Sequence, residues 1–414
     1  MPLLRKHNAG FKKSKVITLT DQEIDAATKT AHDLGPGYPQ LSTDWCSKIY
    51  TNYMTQPQAL AMPPAWTPRD TARLDEKLAG SIYKVLGAKK KSVKIQTTFS
   101  GSVALNRAMT AIVKLARFIG SERIDVITTS PSIDIMALFL KEHAEVIPHF
   151  VPSLSLARTP FGLNINSIIN KLKKCAKESP KNLQVVLLSS PENPTGEIWS
   201  NFALKAIAKA CLYYKAVLII DHCFLLAGVH KKKPATAWSL GINKLDWIAI
   251  WDTGKTIGFN EEKLGFILHG GPRICQHVID SVNTIQFNVS RRQKILFSEL
   301  LCSEPFKHHL ADLRSVCKLN LKTVSDLLQG TGLHVLAPKG GTLALIDCSA
   351  LGISDETIRR ILIENDIGVI AGRVFFHGAK KPTHLIRIAL ARENKHFTKC
   401  VQLLISVLKT IKPT

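Results

Sequence analysis

Lys255 stands in Trp251-Asp252-Thr253-Gly254-Lys255-Thr256, directly after an apolar segment that reads as a strand. A lysine at such a strand end, once desolvated, loses its proton and can act as nucleophile or base. An exposed loop lysine is the alternative in a chain this rich in them. Asp221 closes the run Ala216-Val217-Leu218-Ile219-Ile220. A carboxylate there needs a cation or hydrogen-bond donors, unless it only caps a turn or helix. Ser190-Pro191-Glu192-Asn193-Pro194-Thr195-Gly196 follows another strand, and its Pro and Gly residues fix a turn that presents the Asn193 amide. An ordinary turn would use the same residues. Arg387 lies inside the apolar segment His384–Leu390, where its fork demands an anion and matches a carboxylate at two points. A structural ion pair is the alternative. In Thr98–Leu105, small residues Ser100, Gly101 and Ser102 sit at a strand-to-helix junction. Helix-start N–H groups and hydroxyls there suit a phosphate, although Ser100 could equally be a plain cap.

These residues need elements to position them. Apolar β-branched runs predict strands at Asp125–Thr129, Glu145–Val151, Gln184–Ser189, Ala216–Asp221, Trp247–Trp251 and Lys263–Leu268. Helical periodicity is read over Val103–Ile119, Ile133–His143, Ile165–Lys177 and Phe202–Tyr214. Strands apolar throughout and separated by helices predict an α/β fold with a mostly parallel, buried central sheet flanked by helices. Ligands in such sheets gather at the carboxyl ends of the strands. Residues 1–75 read as a Pro-rich N-terminal arm (Gly35-Pro36-Gly37, Pro57, Pro63-Pro64) leading into a helix at Asp70–Leu86. Residues 76–290 form the large domain. Residues 291–414 form a small C-terminal α/β domain, with one long helical stretch to Gln329. Strands follow at Thr342–Asp347, Gly368–Ala371 and Leu385–Leu390, and a last helix at Phe397–Ile411.

Composition narrows the function classes. The 414 residues are 45% hydrophobic and 21% charged, which suits a soluble protein with a large core rather than a disordered chain. No apolar run approaches the roughly 18 residues of a spanning helix, and the N-terminus lacks a signal-like apolar region. Lys plus Arg number 55 against 32 Asp plus Glu, a net +23 that favours anionic ligands. The short clusters at Lys12–Lys15, Lys89–Lys94 and Lys231–Lys233 lack interleaved aromatics, so a nucleic-acid partner is not expected. The nine cysteines are scattered, with no CxxC pair or His/Cys ligand spacing. That argues for reduced thiols in a cytoplasmic compartment and against a metal site. Cys223 reads as a small apolar filler at a strand end.

A phosphate-binding helix start, an Asn turn, a strand-end Asp, a lysine and a late strand Arg, in that order, resemble the fold-type I pyridoxal phosphate enzymes, the aminotransferase superfamily. The resemblance runs from about residue 95 to the C-terminus. It implies that Ser100, Gly101 and Ser102 hold the cofactor phosphate, that Asn193 meets the phenolic oxygen, and that Asp221 pairs with the pyridine nitrogen. Lys255 would form the Schiff base and Arg387 would clamp the substrate carboxylate. It also implies an amino-acid substrate and a homodimer with shared active sites.

The chain departs from ordinary aminotransferases at four cofactor-contacting positions. Ile133 stands where an aromatic usually stacks, Phe224 replaces a Tyr, Lys263 replaces the phosphate-binding Arg, and Asp252 replaces a Ser or Thr. With Ile386-Arg387-Ile388-Ala389-Leu390-x-Arg392, these departures resemble the pyridoxal phosphate- and O2-dependent L-arginine oxidases and hydroxylases. Capreomycidine synthase-like cyclases are relatives of that subgroup. Thr20-x-x-Glu23 resembles the oxidases' substrate-covering motif and His32 their arm histidine, with Thr30 as another alignment; a surface histidine is the alternative. Thr20, Glu23 and His32 are thereby expected at the substrate, with Glu23, Asp25 and Asp33 as partners for a guanidinium. The favoured expectation is oxidative deamination or hydroxylation of L-arginine, with an ordinary aminotransferase and a cyclase or β-eliminating enzyme behind it.

Overall fold

Seven strands build the main sheet, and the inner ones are apolar because both of their faces are covered. They are β1 (Lys94–Thr98), β2 (Ile124–Ser130), β3 (Val146–Pro152), β4 (Leu183–Ser189), β5 (Val217–Asp221), β6 (Trp247–Asp252) and β7 (Gly265–Gly270). In space the order is β1-β7-β6-β5-β4-β2-β3. Only β7 runs against the rest; the pairs β2/β3, β2/β4, β4/β5 and β5/β6 are parallel. The computed structural model describes residues 17–55, 68–152, 163–230, 234–259, 262–286, 288–377 and 383–411. The basic clusters at Lys12–Lys15 and Lys231–Lys233, and prolines 57, 63 and 64, lie outside them.

Strand alternation divides the core in two. Val186, Leu188, Leu218, Ile220, Ala249 and Trp251 face one side, packed on Leu204, Ile207 and Trp199. Val185, Leu187, Val217, Ile219, Ile248 and Ile250 face the other, against Ala108, Ile112 and Leu115 of the helix Gly101–Phe118. Each fully buried Leu, Ile or Val contributes about 1.5–3 kcal/mol by leaving water. Register then aligns the strand ends: Ser189 lies opposite Asp221, and Asp221 opposite Ile250.

A second sheet of four strands follows, β8 (His334–Leu336), β9 (Leu343–Asp347), β10 (Ile370–Ala371) and β11 (Leu385–Ala389), in the order β10-β11-β9-β8, antiparallel throughout. Its own core includes Leu313, Ile346, Ile386, Phe397 and Leu404. The first core extends through Phe297 and Leu301 to Phe306, and the second takes over from Leu313 of the helix Glu304–Leu327. The helical stretch expected from 290 to 329 is two helices, Arg291–Leu300 and Glu304–Leu327. Ser303 starts the second by accepting a hydrogen bond from the Phe306 N–H.

Part of the arm packs on the second sheet. The helix Ile17–Thr28 packs through Ala27 on Ile370 and Phe375. His32-Asp33 pairs in parallel with Ile367-Gly368. The strand expected over 368–371 is therefore split, with Ile367-Gly368 pairing with the arm and Ile370-Ala371 with β11.

Candidate active site

Four chain segments converge at the carboxyl ends of β4, β5 and β6. Lys255 lies in the four-residue helix Gly254–Ile257 that follows β6, which Gly258 ends in the left-handed region at φ 89°. Thr253 fixes this turn: its N–H donates to the Leu264 carbonyl (3.0 Å) and its Oγ1 accepts from the Leu264 N–H (3.0 Å). The Lys255 amine faces the Tyr38 ring, 3.3 Å from its centroid, with the Phe224 ring at 5.8 Å. Burial brings its pKa down to about 8, helped by the Arg387 cation and opposed by Asp252, Cys223 and Asp221. A pKa of about 8 leaves a working fraction of free amine near neutrality.

Asp221 ends β5 and accepts a hydrogen bond from the Cys223 N–H at 2.9 Å. Burial raises its pKa, with hydrogen bonds from the Cys223 thiol and N–H opposing. Cys223 packs against the apolar core, as expected, and is also a partner of the carboxylate. Asp252 ends β6; the N–H groups of Lys255 (3.3 Å) and Gly101 donate to its carboxyl group, which burial again raises. A Cβ on Gly101 would come within 2.7 Å of Asp252 Oδ2 and 3.1 Å of Cys223 Sγ, so this approach requires glycine.

Ser100 caps the helix Gly101–Phe118 through a hydrogen bond from the Val103 N–H (3.2 Å), and Ser102 is exposed. Lys263 Nζ lies 3.4 Å from the Tyr38 hydroxyl. Asn193 Oδ1 accepts from Arg387 Nη1 (3.2 Å), while Arg387 Nη2 donates to the Gly35 carbonyl (2.7 Å) and the guanidinium lies 4.9 Å from the Phe375 ring centroid. Phe224 packs with Leu343 and Ala389 of the second sheet, and Ile133 starts the helix Asp134–Glu142.

Two residues that motif reading left without a role organise this site. Tyr38 covers the Lys255 amine. Arg392, fully buried, donates to the carbonyls of Asp33 (3.2 Å), Pro36 (2.7 Å) and Tyr38 (2.9 Å) and so pins the loop that carries Tyr38. The available signal was an aromatic directly after Gly35-Pro36-Gly37 and a second Arg near a buried strand.

The arm residues Glu23, His32, Asp25 and Asp33 have partners of their own. Glu23 receives the Ala371 N–H at 2.9 Å and an ion pair from Arg359 at 3.4 Å, because burial of its carboxylate demands those partners. His32 stacks on His396 (6.3 Å between ring centroids) and lies 3.7 Å from Cys400 Sγ. Asp25 pairs with Lys29 in solvent, and Asp33 accepts from Gly35 N–H and Gln40. Among the described residues none of these four contacts Lys255. Thr20 lies on the helix Ile17–Thr28, and its side chain is outside the described residues.

Solved aminotransferases share this fold. A methionine aminotransferase from Escherichia coli superposes with a TM-score of 0.75 at 20% identity, covering 96% of this chain and 100% of that one. The N-succinyldiaminopimelate aminotransferase of Mycobacterium tuberculosis gives 0.76 at 18%, covering 94% and 96%. Residues 151–402, more than half of the chain, match aminotransferase class I and II, and the chain belongs to that family. Kynurenine–oxoglutarate transaminase 3 of Bos taurus is 26% identical over 191 residues, 41% of this chain and 38% of the relative. Escherichia coli methionine aminotransferase is 22% identical over 212 residues, 51% and 54%. The chain thus matches about two fifths of the length of the first of these relatives and about half of the second.

Pyridoxal 5'-phosphate is the cofactor of this family, and the residues present fit it. An amine of lowered pKa, a buried carboxylate at a strand end, a helix start at Gly101 and the Lys263 amine lie in this region. The buried Ser132 hydroxyl beside Ile133 has no partner among the described residues, consistent with a wall built for a polar ligand. Asp252, an acid beside the helix start, is the one feature that works against a dianionic phosphate.

Proposed function

We propose that this chain is a pyridoxal phosphate-dependent aminotransferase of a free α-amino acid. The observation that carries the reading is the desolvated Lys255 amine held between Asp252, Asp221 and Arg387 at the strand ends. Bound cofactor supplies a ring that accepts the negative charge developing at the substrate's Cα. Lys255 anchors it and then, as a free amine, takes and returns the Cα proton. Asp221 offers the cationic ring nitrogen a buried counter-charge. Arg387, steadied by Gly35 and Asn193, holds positive charge for the substrate carboxylate. Lys263 and the hydroxyls of Ser100 and Ser102 would take the phosphate, joined by the Gly101 N–H once Asp252 releases it; Ile133 and Phe224 would flank the ring.

The O2-dependent oxidation of L-arginine is the second reading, favoured by Asp252 and Lys263 standing where aminotransferases carry a hydroxyl and an Arg. The engagement of Glu23, Asp25 and Asp33 elsewhere weighs against a guanidinium site on the arm. A homodimer in the cytoplasm is part of the proposal. Phe99 (50% exposed) and Ile285 (65%) sit beside the phosphate loop, joined through a hydrogen bond from Gln286 to Thr97, and offer an apolar contact. The test is an amino-acid panel scored with and without a 2-keto acid. Turnover that needs the keto acid, with no O2 uptake, is expected; O2 uptake with L-arginine alone would install the oxidase reading.

A further inference from the structure

At the opposite, amino-terminal side of the sheet, three metal-ligating side chains meet from three elements. Asp125 is the second residue of β2, His149 lies in the edge strand β3, and Cys175 in the helix Ile165–Glu178 that packs across both strands. One donor atom from each lies within 4.8 Å of the others. Asp125 and Cys175 are buried, while His149 is partly exposed and leads to solvent. The carboxylate accepts from Asn182 Nδ2 at 2.8 Å and meets His149 Nε2 at 2.6 Å.

We propose that Asp125, His149 and Cys175 form a site for a divalent transition-metal ion, with zinc as the best chemical match. Thiolate, imidazole and carboxylate are the zinc donor set, and three protein ligands leave a fourth position for solvent on the His149 side. On binding, the Cys175 thiol gives its proton to solvent and the metal takes the sulfur lone pair. His149 gives up to solvent the Nε2 proton that it donates to Asp125, and binds the metal through Nε2 as the neutral Nδ1–H tautomer. Thiolate and carboxylate together neutralise the ion. With bonds of about 2.0–2.3 Å, tetrahedral donors lie about 3.5 Å apart, so the side chains move by on the order of 1 Å. Asn182 keeps its hold on the second carboxylate oxygen and orients the ligand. The ion would fasten the helix and the edge strand to β2, far along the chain from Lys255. Sequence spacing gave no hint of this set, because the donors join only when strand and helix pack.

Chelator-treated holoenzyme titrated with Co2+ tests the site. One ion per chain is expected, with tetrahedral bands in the red, clear of the cofactor's absorption, and a thiolate charge-transfer band. Both are expected to disappear in Cys175→Ser and in His149→Ala, at the partly exposed ligand. Zinc should raise the unfolding midpoint of the wild type and leave that of His149→Ala unmoved. Absence of the bands in the wild type, or their persistence in both variants, would overturn the site.

Discussion

The Lys255 amine sits among competing influences: burial and the Arg387 cation favour the neutral form, and Asp252, Cys223 and Asp221 favour the charged one. Burial wins, and the pKa settles at about 8. Below that pH the amine is mostly protonated and cannot attack an aldehyde. Capture of pyridoxal phosphate by the cofactor-stripped protein should therefore slow about tenfold for each unit below pH 8 and level off above it. Stopped-flow absorbance checks this, and a rate flat between pH 6 and 8 would contradict it. Asp252 takes N–H donors that a phosphate would otherwise use. Asp252→Ser is expected to bind pyridoxal phosphate more tightly, with a weaker pH dependence, measured by equilibrium dialysis. Asp221 and Arg387 were legible in the sequence because each ends or interrupts an apolar run, where burial demands a partner, and Asn193 and Lys255 because each stands just past a strand, in a turn set by Pro and Gly or Thr and Gly. Tyr38 and Arg392 were not, since their significance lies in contacts spanning most of the chain.

Between elements, close backbone approach and one buried cation hold the site together. A Cβ on Gly265 would lie 2.1 Å from the Ser100 carbonyl oxygen, so β7 and the helix start meet only because residue 265 is glycine. Gly265→Ala must push the Ser100 loop outward, at a cost of about 1–3 kcal/mol. Cofactor affinity should fall about tenfold or more, read by fluorescence titration. Arg392 has burial lowering its pKa to about 10 and spends its donors on the carbonyls of Asp33, Pro36, Tyr38 and Ala391. Arg392→Met leaves those oxygens buried without their donor, and should destabilise by on the order of 3–5 kcal/mol in urea unfolding. Strand ends were readable to within a residue or two, because apolar runs stop where the sheet stops. The break at Leu301-Cys302-Ser303 was hidden by helical periodicity on both sides, and the split at 367–371 depends on a pairing with the distant arm.

At the scale of the whole molecule, two cores joined through the helix Glu304–Leu327 place Lys255 just past a strand of one sheet and Arg387 within a strand of the other. The fold class was legible because a buried parallel sheet writes itself as apolar strands between helices; reaction type was not, because transfer and oxidation begin with the same lysine, aspartate and arginine. The proposed homodimer predicts a particle of twice the chain's mass by sedimentation. The pair Phe99→Glu and Ile285→Glu should shift it to monomer and abolish turnover, while a wild-type monomer with full activity would contradict shared sites. The account's central assignment is covalent and can be read directly. Borohydride treatment of the holoprotein, followed by peptide mapping, should leave one pyridoxyl label per chain, on Lys255; a label on another lysine, or none, would contradict it.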